Sequence, residues 1–195
     1  MYLYRMPTLY IIAGCNGAGK TTASFTILPE MLNCKEFVNA DIIAKGISPF
    51  QPEKVAFEAG RVMLQRIQQL IERKETFAFE TTLSTKSYKS IIKDCKAKGY
   101  KIILLFFWVD SPELAIGRIK LRVEQGGHHV PDNIVRRRYQ RGLENFFKIF
   151  MPLCDYWEFI DNTGKPNKIS IGIGKTEQSI INSDIWEQIK KYYAI

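Results

Sequence analysis

The sequence predicts an α/β fold in three layers, with a mostly parallel central sheet of about five strands flanked by helices. Three observations point to it. Short apolar runs alternate with longer amphipathic ones along the whole chain. The run Ile102 to Val109 is apolar without alternation, as a strand buried on both faces should be. A glycine-rich turn joins the first apolar run directly to a helical pattern, as in a strand–turn–helix unit.

Taken in order, Leu9 to Ala13 reads as the first strand, followed by the glycine-rich turn and a helix from about Gly19 to Leu32 that Pro29 shortens. Glu36 to Asn39 is a short second strand ending before Asp41, and Ile42 opens a helix. A long helix follows Ser48-Pro49-Phe50-Gln51-Pro52, because Val55, Ala59, Val62, Met63, Ile67, Leu70 and Ile71 recur at helical spacing. Thr76 to Phe79 is the third strand and delivers Glu80 at its carboxyl end. A helix from about Lys86 to Ala97 closes at Gly99, a C-cap signal. Ile102 to Val109 is the fourth strand. Ser111 caps the next helix, with Pro112 at its first position. Gln125 to Pro131 interrupts the helical pattern, and Asp132 caps a further helix to about Phe150. Tyr156 to Ile160 is the fifth strand and Ile169 to Ile173 a candidate sixth. Ser183 caps a C-terminal helix from Asp184 whose apolar positions are Ile185, Ile189, Tyr192 and Tyr193. No repeat or linker divides the chain, so residues 1–195 are expected to form one domain, with a lid at about 122–138 and a C-terminal extension at about 165–195.

Composition narrows the class. The longest apolar run is far short of the roughly 20 residues a membrane helix needs, so no membrane partner is expected. No targeting segment is visible, which points to the cytoplasm. Cys15, Cys34, Cys95 and Cys154 lie far apart without metal-ligand spacing, and read as free thiols. The net charge of +8 suits nucleic acid, membrane surfaces or phosphorylated small molecules. Its distribution favours the last: Arg118, Arg122, Arg136, Arg137, Arg138 and Arg141 fall on either side of one Gly-rich turn, an arrangement suited to bidentate phosphate contacts.

The segment Gly14-Cys15-Asn16-Gly17-Ala18-Gly19-Lys20-Thr21 satisfies G-x-x-x-x-G-K-[ST] in full, between a strand and a helix. Such a loop turns successive backbone N–H groups around a phosphate, and the helix start adds its dipole. Gly14, Asn16, Gly17, Ala18, Gly19, Lys20, Thr21 and Thr22 are therefore assigned to ATP. Lys20 would reach the β- and γ-phosphates, and the Thr21 hydroxyl would join a Mg²⁺ site. The string Gly172-Ile173-Gly174-Lys175-Thr176 imitates the motif, but Ile169 holds the place of its first glycine. We reject it as a site.

The candidate chemistry lies at the strand ends, where ligands sit in open α/β sheets. Asp41 is assigned as the base that orients an attacking hydroxyl, against the alternative of a helix cap. Glu80, with Thr81 beside it, is assigned to the substrate or the metal shell, against capping Thr82 or Leu83. Arg118 and Arg122 share a helix face, and a lid of this kind closes arginines onto the γ-phosphate and excludes water. Arg122 and one of Arg136 to Arg138 carry this role, Arg137 being placed at the transfer step and Arg118 and Arg136 at the nucleotide. His128 is a further candidate phosphate contact.

Together with Asn39-Ala40-Asp41, Phe79-Glu80-Thr81-Thr82-Leu83-Ser84, Gly126-Gly127-His128-His129-Val130-Pro131 with its following arginines, and Asn145-Phe146-Phe147 leading to Pro152-Leu153, the loop resembles the zeta-toxin-like kinases, in their compact branch, from about residue 8 to 165. The resemblance implies ATP–Mg²⁺ as donor, a UDP-amino sugar such as UDP-N-acetylglucosamine as acceptor, Asp41 as base, Glu80 at the substrate, and an antitoxin protein as partner. It implies two phosphate-binding arginines. Arg122 matches the first, while His128 stands where the second is expected, so either Arg136 or Arg137 takes over that role or the lid works differently. A polynucleotide or RNA kinase and a non-catalytic nucleotide-binding module are the competing readings.

Overall fold

A computed structural model describes residues 6–192. Its centre is one sheet of seven strands in the order β2-β3-β1-β4-β5-β6-β7. The first five in sequence are parallel: β1 Thr8–Ala13, β2 Glu36–Val38, β3 Phe77–Thr81, β4 Lys101–Trp108 and β5 Tyr156–Asp161. β6 Asn167–Ile173 and β7 Thr176–Ile180 add an antiparallel edge. Seven strands replace the expected five. The additional β7 is the run Thr-Glu-Gln-Ser-Ile, polar up to its last residue and so without an apolar alternation, and is held by hairpin pairing to β6. The imitation string lies in this hairpin and its turn, far in sequence from the first loop.

The strands β1, β3, β4 and β5 are apolar because helices cover both faces. Ile11, Phe77, Phe79, Leu104 and Phe159 are fully buried. The helices are α1 Lys20–Thr26, α2 Ala40–Ile47, α3 Ala56–Glu72, α4 Tyr88–Ala97, α5 Pro112–Glu124, α6 Asp132–Asn145 and α7 Ser183–Tyr192. In α3 the predicted apolar stripe faces inward through Ala59, Met63, Ile67, Leu70 and Ile71, while Val62 is exposed. Gly99, in a left-handed conformation (φ 82°), ends α4, and the Ser111 hydroxyl accepts from the Leu114 N–H at the start of α5.

Several boundaries differ from the sequence expectation, each for a local reason. Helix α1 ends at Thr26 and widens into a π-helical turn, Ile27–Met31, that accommodates Pro29, which has no N–H to donate. A second wide turn, Phe146–Phe150, follows α6. Asp41 does not cap α2; Asn39 does, accepting from the N–H groups of Asp41 and Ile42. Asp132 is the first residue of α6 rather than its cap, and Asn182, not Ser183, accepts from the Ile185 N–H at α7. Tyr193 lies outside the described residues.

Strand β1 sits between β3 and β4, so successive crossovers leave it in opposite directions. Such a reversal opens a crevice at the carboxyl ends of the strands. Residues 14–20, Asn39, Glu80 and Asp110 all emerge there.

Candidate active site

The loop after β1 is shaped by contacts that exclude side chains. Gly14 has φ 138°, and a Cβ there would collide with the Phe107 carbonyl of β4; one at Gly17 (φ 81°) would collide with the Ala115 carbonyl of α5. Only glycine takes these backbone angles at no cost. Lys20 is buried, donates to the Cys15 carbonyl at 2.8 Å, and holds its Nζ 3.5 Å from Glu80 Oε1. Burial pushes the Cys15 thiol up to about 11, so it stays protonated and the residue serves through its backbone.

The ends of β2 and β3 converge on this loop. Glu80 Oε2 accepts from the Thr21 hydroxyl at 2.7 Å and from Asn39 Nδ2 at 2.7 Å. Glu80 therefore grips the loop threonine and lysine and caps neither Thr82 nor Leu83. Asp41 stands in the first turn of α2, half exposed, with Oδ2 3.8 Å from His128 Nε2. Thr81 is buried and its hydroxyl accepts from the Leu83 N–H at 3.0 Å, so it supports the turn after β3. Leu83 is itself buried with φ 53°, a conformation that costs a residue with a Cβ energy and marks a constrained segment. Asn145 of α6 donates to its carbonyl at 2.7 Å.

The arginines separate by position. Arg118 donates to the carbonyls of Asn162 and Thr163, at 2.9 and 2.7 Å, and borders the loop. Arg122 donates from Nη2 to the His128 carbonyl at 3.0 Å, while its buried Nε has no partner among the described residues. Arg136, expected at the nucleotide, is exposed and paired with Glu113 of α5; it borders a different cavity, with Trp108 and Tyr139. Arg137, expected at the transfer step, is exposed and borders a cleft with Asp41, His128 and Pro131. Arg138 is the one of the three that turns inward, donating to Asn16 Oδ1 of the loop at 3.0 Å. Burial holds the His128 imidazole below its usual value, opposed by Asp41.

Two clefts meet at these residues. One, about 480 Å³, is lined by the loop from Asn16 to Thr22, by Lys45, and by Arg118, Arg122 and His128. The other, about 230 Å³, is lined by Thr81, Thr82, Ser84, Thr85, Tyr88 and Arg138. Asn16, Lys20, Asn39, Asp41 and Glu80 border both.

The family model described as zeta toxin matches residues 4–152. The chain belongs to the zeta toxin family. An uncharacterized protein of Haemophilus influenzae is 32% identical over 127 residues, covering 65% of this chain and 88% of that one. Among solved structures, AvrRxo1-ORF1:AvrRxo1-ORF2 with sulphate ions has a TM-score of 0.75 at 17% identity, over 95% of this chain and 64% of that one. The corresponding complex with ATP has a TM-score of 0.73 at 18% identity, with the same coverage. The PezAT chromosomal toxin–antitoxin system of Streptococcus pneumoniae has a TM-score of 0.65 at 15% identity, over 97% of this chain and 85% of that one. These likenesses show the shared fold, and the chain spans about two thirds of the AvrRxo1 chains it resembles.

Within this zeta toxin family fold, sequence reading gave no role to two residues that build the site and left a third unresolved among its neighbours. Asn39 caps α2 and holds Glu80. Asn162, after β5, donates to the Ala18 carbonyl at 2.7 Å and lies where a side chain at residue 19 would be. Arg138 was not separated from its neighbours. Its signal was present, since Val135, Tyr139, Gly142 and Leu143 are the buried stripe of α6 and residue 138 falls at its edge.

Proposed function

We propose that this zeta toxin family protein is an ATP-dependent kinase that transfers the γ-phosphoryl group to a hydroxyl of a UDP-amino sugar, and acts as the toxin of a toxin–antitoxin pair in the cytoplasm. One observation carries the kinase reading: Asp41 borders both clefts, so a carboxylate stands where a phosphate cradle and a hydroxyl-lined recess meet.

The residues fit the nucleotide. Arg122 Nε is buried without an acceptor and borders the larger cleft, as a phosphate ligand requires. They also fit Mg²⁺, which favours one or two oxygen side chains supplemented by phosphates and water; Thr21 and Glu80 supply a hydroxyl and a carboxylate side by side. Bound there, the ion would neutralise charge on the phosphate oxygens.

In the reaction, Asp41 orients the acceptor hydroxyl and takes its proton. The acceptor oxygen forms its bond to the γ-phosphorus as the bond to the β,γ-bridging oxygen breaks, and ADP leaves with the electron pair. Lys20 and Arg122 hold the donor phosphates, and Arg118 steadies Asn162 and Thr163 beside them. Hydroxyls from Thr82, Ser84, Thr85 and Tyr88 line the recess and match a polar, sugar-like acceptor. The UDP-amino sugar rests on the family resemblance, and the antitoxin on the systems named among its structural neighbours.

The test is incubation with ATP–Mg²⁺ and a mixture of UDP-sugars and oligonucleotides, followed by mass spectrometry. A gain of one phosphoryl group on a UDP-amino sugar is expected. Modification of oligonucleotides alone would overturn the sugar reading, and ATP binding without transfer to any compound would leave a non-catalytic module.

A further inference from the structure

We propose that Arg138 is a catalytic residue: its guanidinium, held by Asn16 at the junction of the two clefts, takes an oxygen of the phosphoryl group in transit. The inference rests on the kinase reading above and goes beyond it by naming the cation of the transfer step.

Three consecutive arginines on a helix point about 100° apart, so they meet different surroundings: Arg137 and Arg138 both border the cleft beside Asp41, and only one of the three also borders the acceptor recess. On α6 that one is Arg138. Arg136 is committed to Glu113 and Arg137 is exposed. Arg138 borders the acceptor recess, and its partner Asn16 borders both clefts. Its guanidinium has five N–H donors, of which the Asn16 bond uses one. The bond goes to a neutral amide, so the positive charge is oriented without being cancelled. Burial disfavours that charge and Asp41 favours it, as expected of a cation placed to meet an anion beside the candidate base.

The position is fixed in advance. Helix α6 is tied to the site wall by the Tyr139 hydroxyl on the Val109 carbonyl at 2.7 Å and by Asn145 on the Leu83 carbonyl. Gly142 lets the helix touch β3's exit, for a Cβ there would come within 2.6 Å of the Thr82 carbonyl. A donor held rigid where charge develops stabilises a transition state without reorganisation. Arg138 transfers no proton. It bears charge on the phosphoryl oxygens while the bond to the bridging oxygen breaks and the bond to the acceptor forms.

The experiment compares Arg138→Ala, Arg138→Lys, Arg136→Ala and Arg137→Ala in the full chain. It measures turnover with ATP–Mg²⁺, using as acceptor whichever UDP-amino sugar gains a phosphoryl group in the assay above, or water, together with nucleotide affinity by calorimetry and retention of ADP with aluminium fluoride as a mimic of the group in transit. Arg138→Ala should lower kcat about 10²- to 10³-fold with ATP affinity within about threefold, and should lose the fluoride complex. Arg138→Lys should recover little, since a point charge does not reproduce the fork. A loss of kcat in Arg136→Ala or Arg137→Ala as large as that in Arg138→Ala would overturn the assignment of this role to Arg138. Undiminished kcat in Arg138→Ala, or a loss confined to KM for the acceptor or to ATP affinity, overturns the proposal. If Arg138→Ala does not fold, full activity in Arg138→Lys overturns it instead. A wild-type protein that binds no ATP and forms no ADP sinks the kinase reading itself, which is a different result from an active wild type with an active Arg138→Ala.

Discussion

Asp41 and Asn39, two residues apart, divide two roles that are easily confused in sequence. A carboxylate near a helix start reads equally as a cap or as a base. The structure resolves the capping half, because the Asn39 amide oxygen takes the Asp41 and Ile42 N–H groups and leaves the Asp41 side chain at the clefts. Asp41→Asn should therefore keep the fold and nucleotide affinity while lowering transfer about 10²- to 10⁴-fold, seen by calorimetry beside a product assay. Lys20→Ala should lose on both counts, since the ammonium reaches across the loop toward Glu80; equal ATP hydrolysis by this variant would undercut the cradle assignment. His128 gives a prediction in pH. Its imidazole is held below the usual 6.5, so between that value and its lower folded value the unfolded chain binds more protons. Its contribution to stability is present above pH 6.5 and is lost on acidification through that window. A series of melting temperatures from pH 7.5 to 5 should fall more steeply for the wild type than for His128→Gln; parallel curves would count against it.

At the scale of elements, the phosphate loop and the parallel strands were legible because they obey short-range rules: glycine spacing and apolar runs. Arg138 was legible only in part. Deciding among three adjacent arginines requires the rotation of α6, which is set by tertiary contacts at Val135, Tyr139 and Leu143. Strand β7 was not legible, because cross-strand pairing to β6 supports it and its own residues are polar up to the last. Nor was the role of Glu80 as a clamp on Thr21, since a strand end shows a carboxylate without showing what it faces. The contact between α6 and the turn after β3 yields its own prediction. Asn145→Ala leaves the buried Leu83 carbonyl without its donor and should cost about 1–3 kcal/mol in urea unfolding. Gly142→Ala forces the helix off the Thr82 carbonyl at a similar cost, about 1–3 kcal/mol. It should raise KM for the acceptor more than for ATP.

On the scale of the whole molecule, the zeta toxin match ends at residue 152, yet the core does not. Trp157 and Trp186 are fully buried and stack with centroids 5.7 Å apart, and Phe146, Phe147 and Phe159 pack around them. Asn162 ties this side to the phosphate loop. The C-terminal extension is thus part of the fold that holds the site. A chain ending at residue 164 should lose its cooperative melt and its near-ultraviolet tryptophan signal; a truncated chain that melts as sharply as the full one would refute this. The contact of Gly142 and Asn145 with Thr82 and Leu83 has a consequence for divergence among relatives. The wall of the acceptor recess is written in two places about sixty residues apart, and neither can be rewritten alone. A lineage that exchanges one acceptor for another by reshaping residues 82–85 must also pass through changes at 142–145, so the two stretches should drift as a pair.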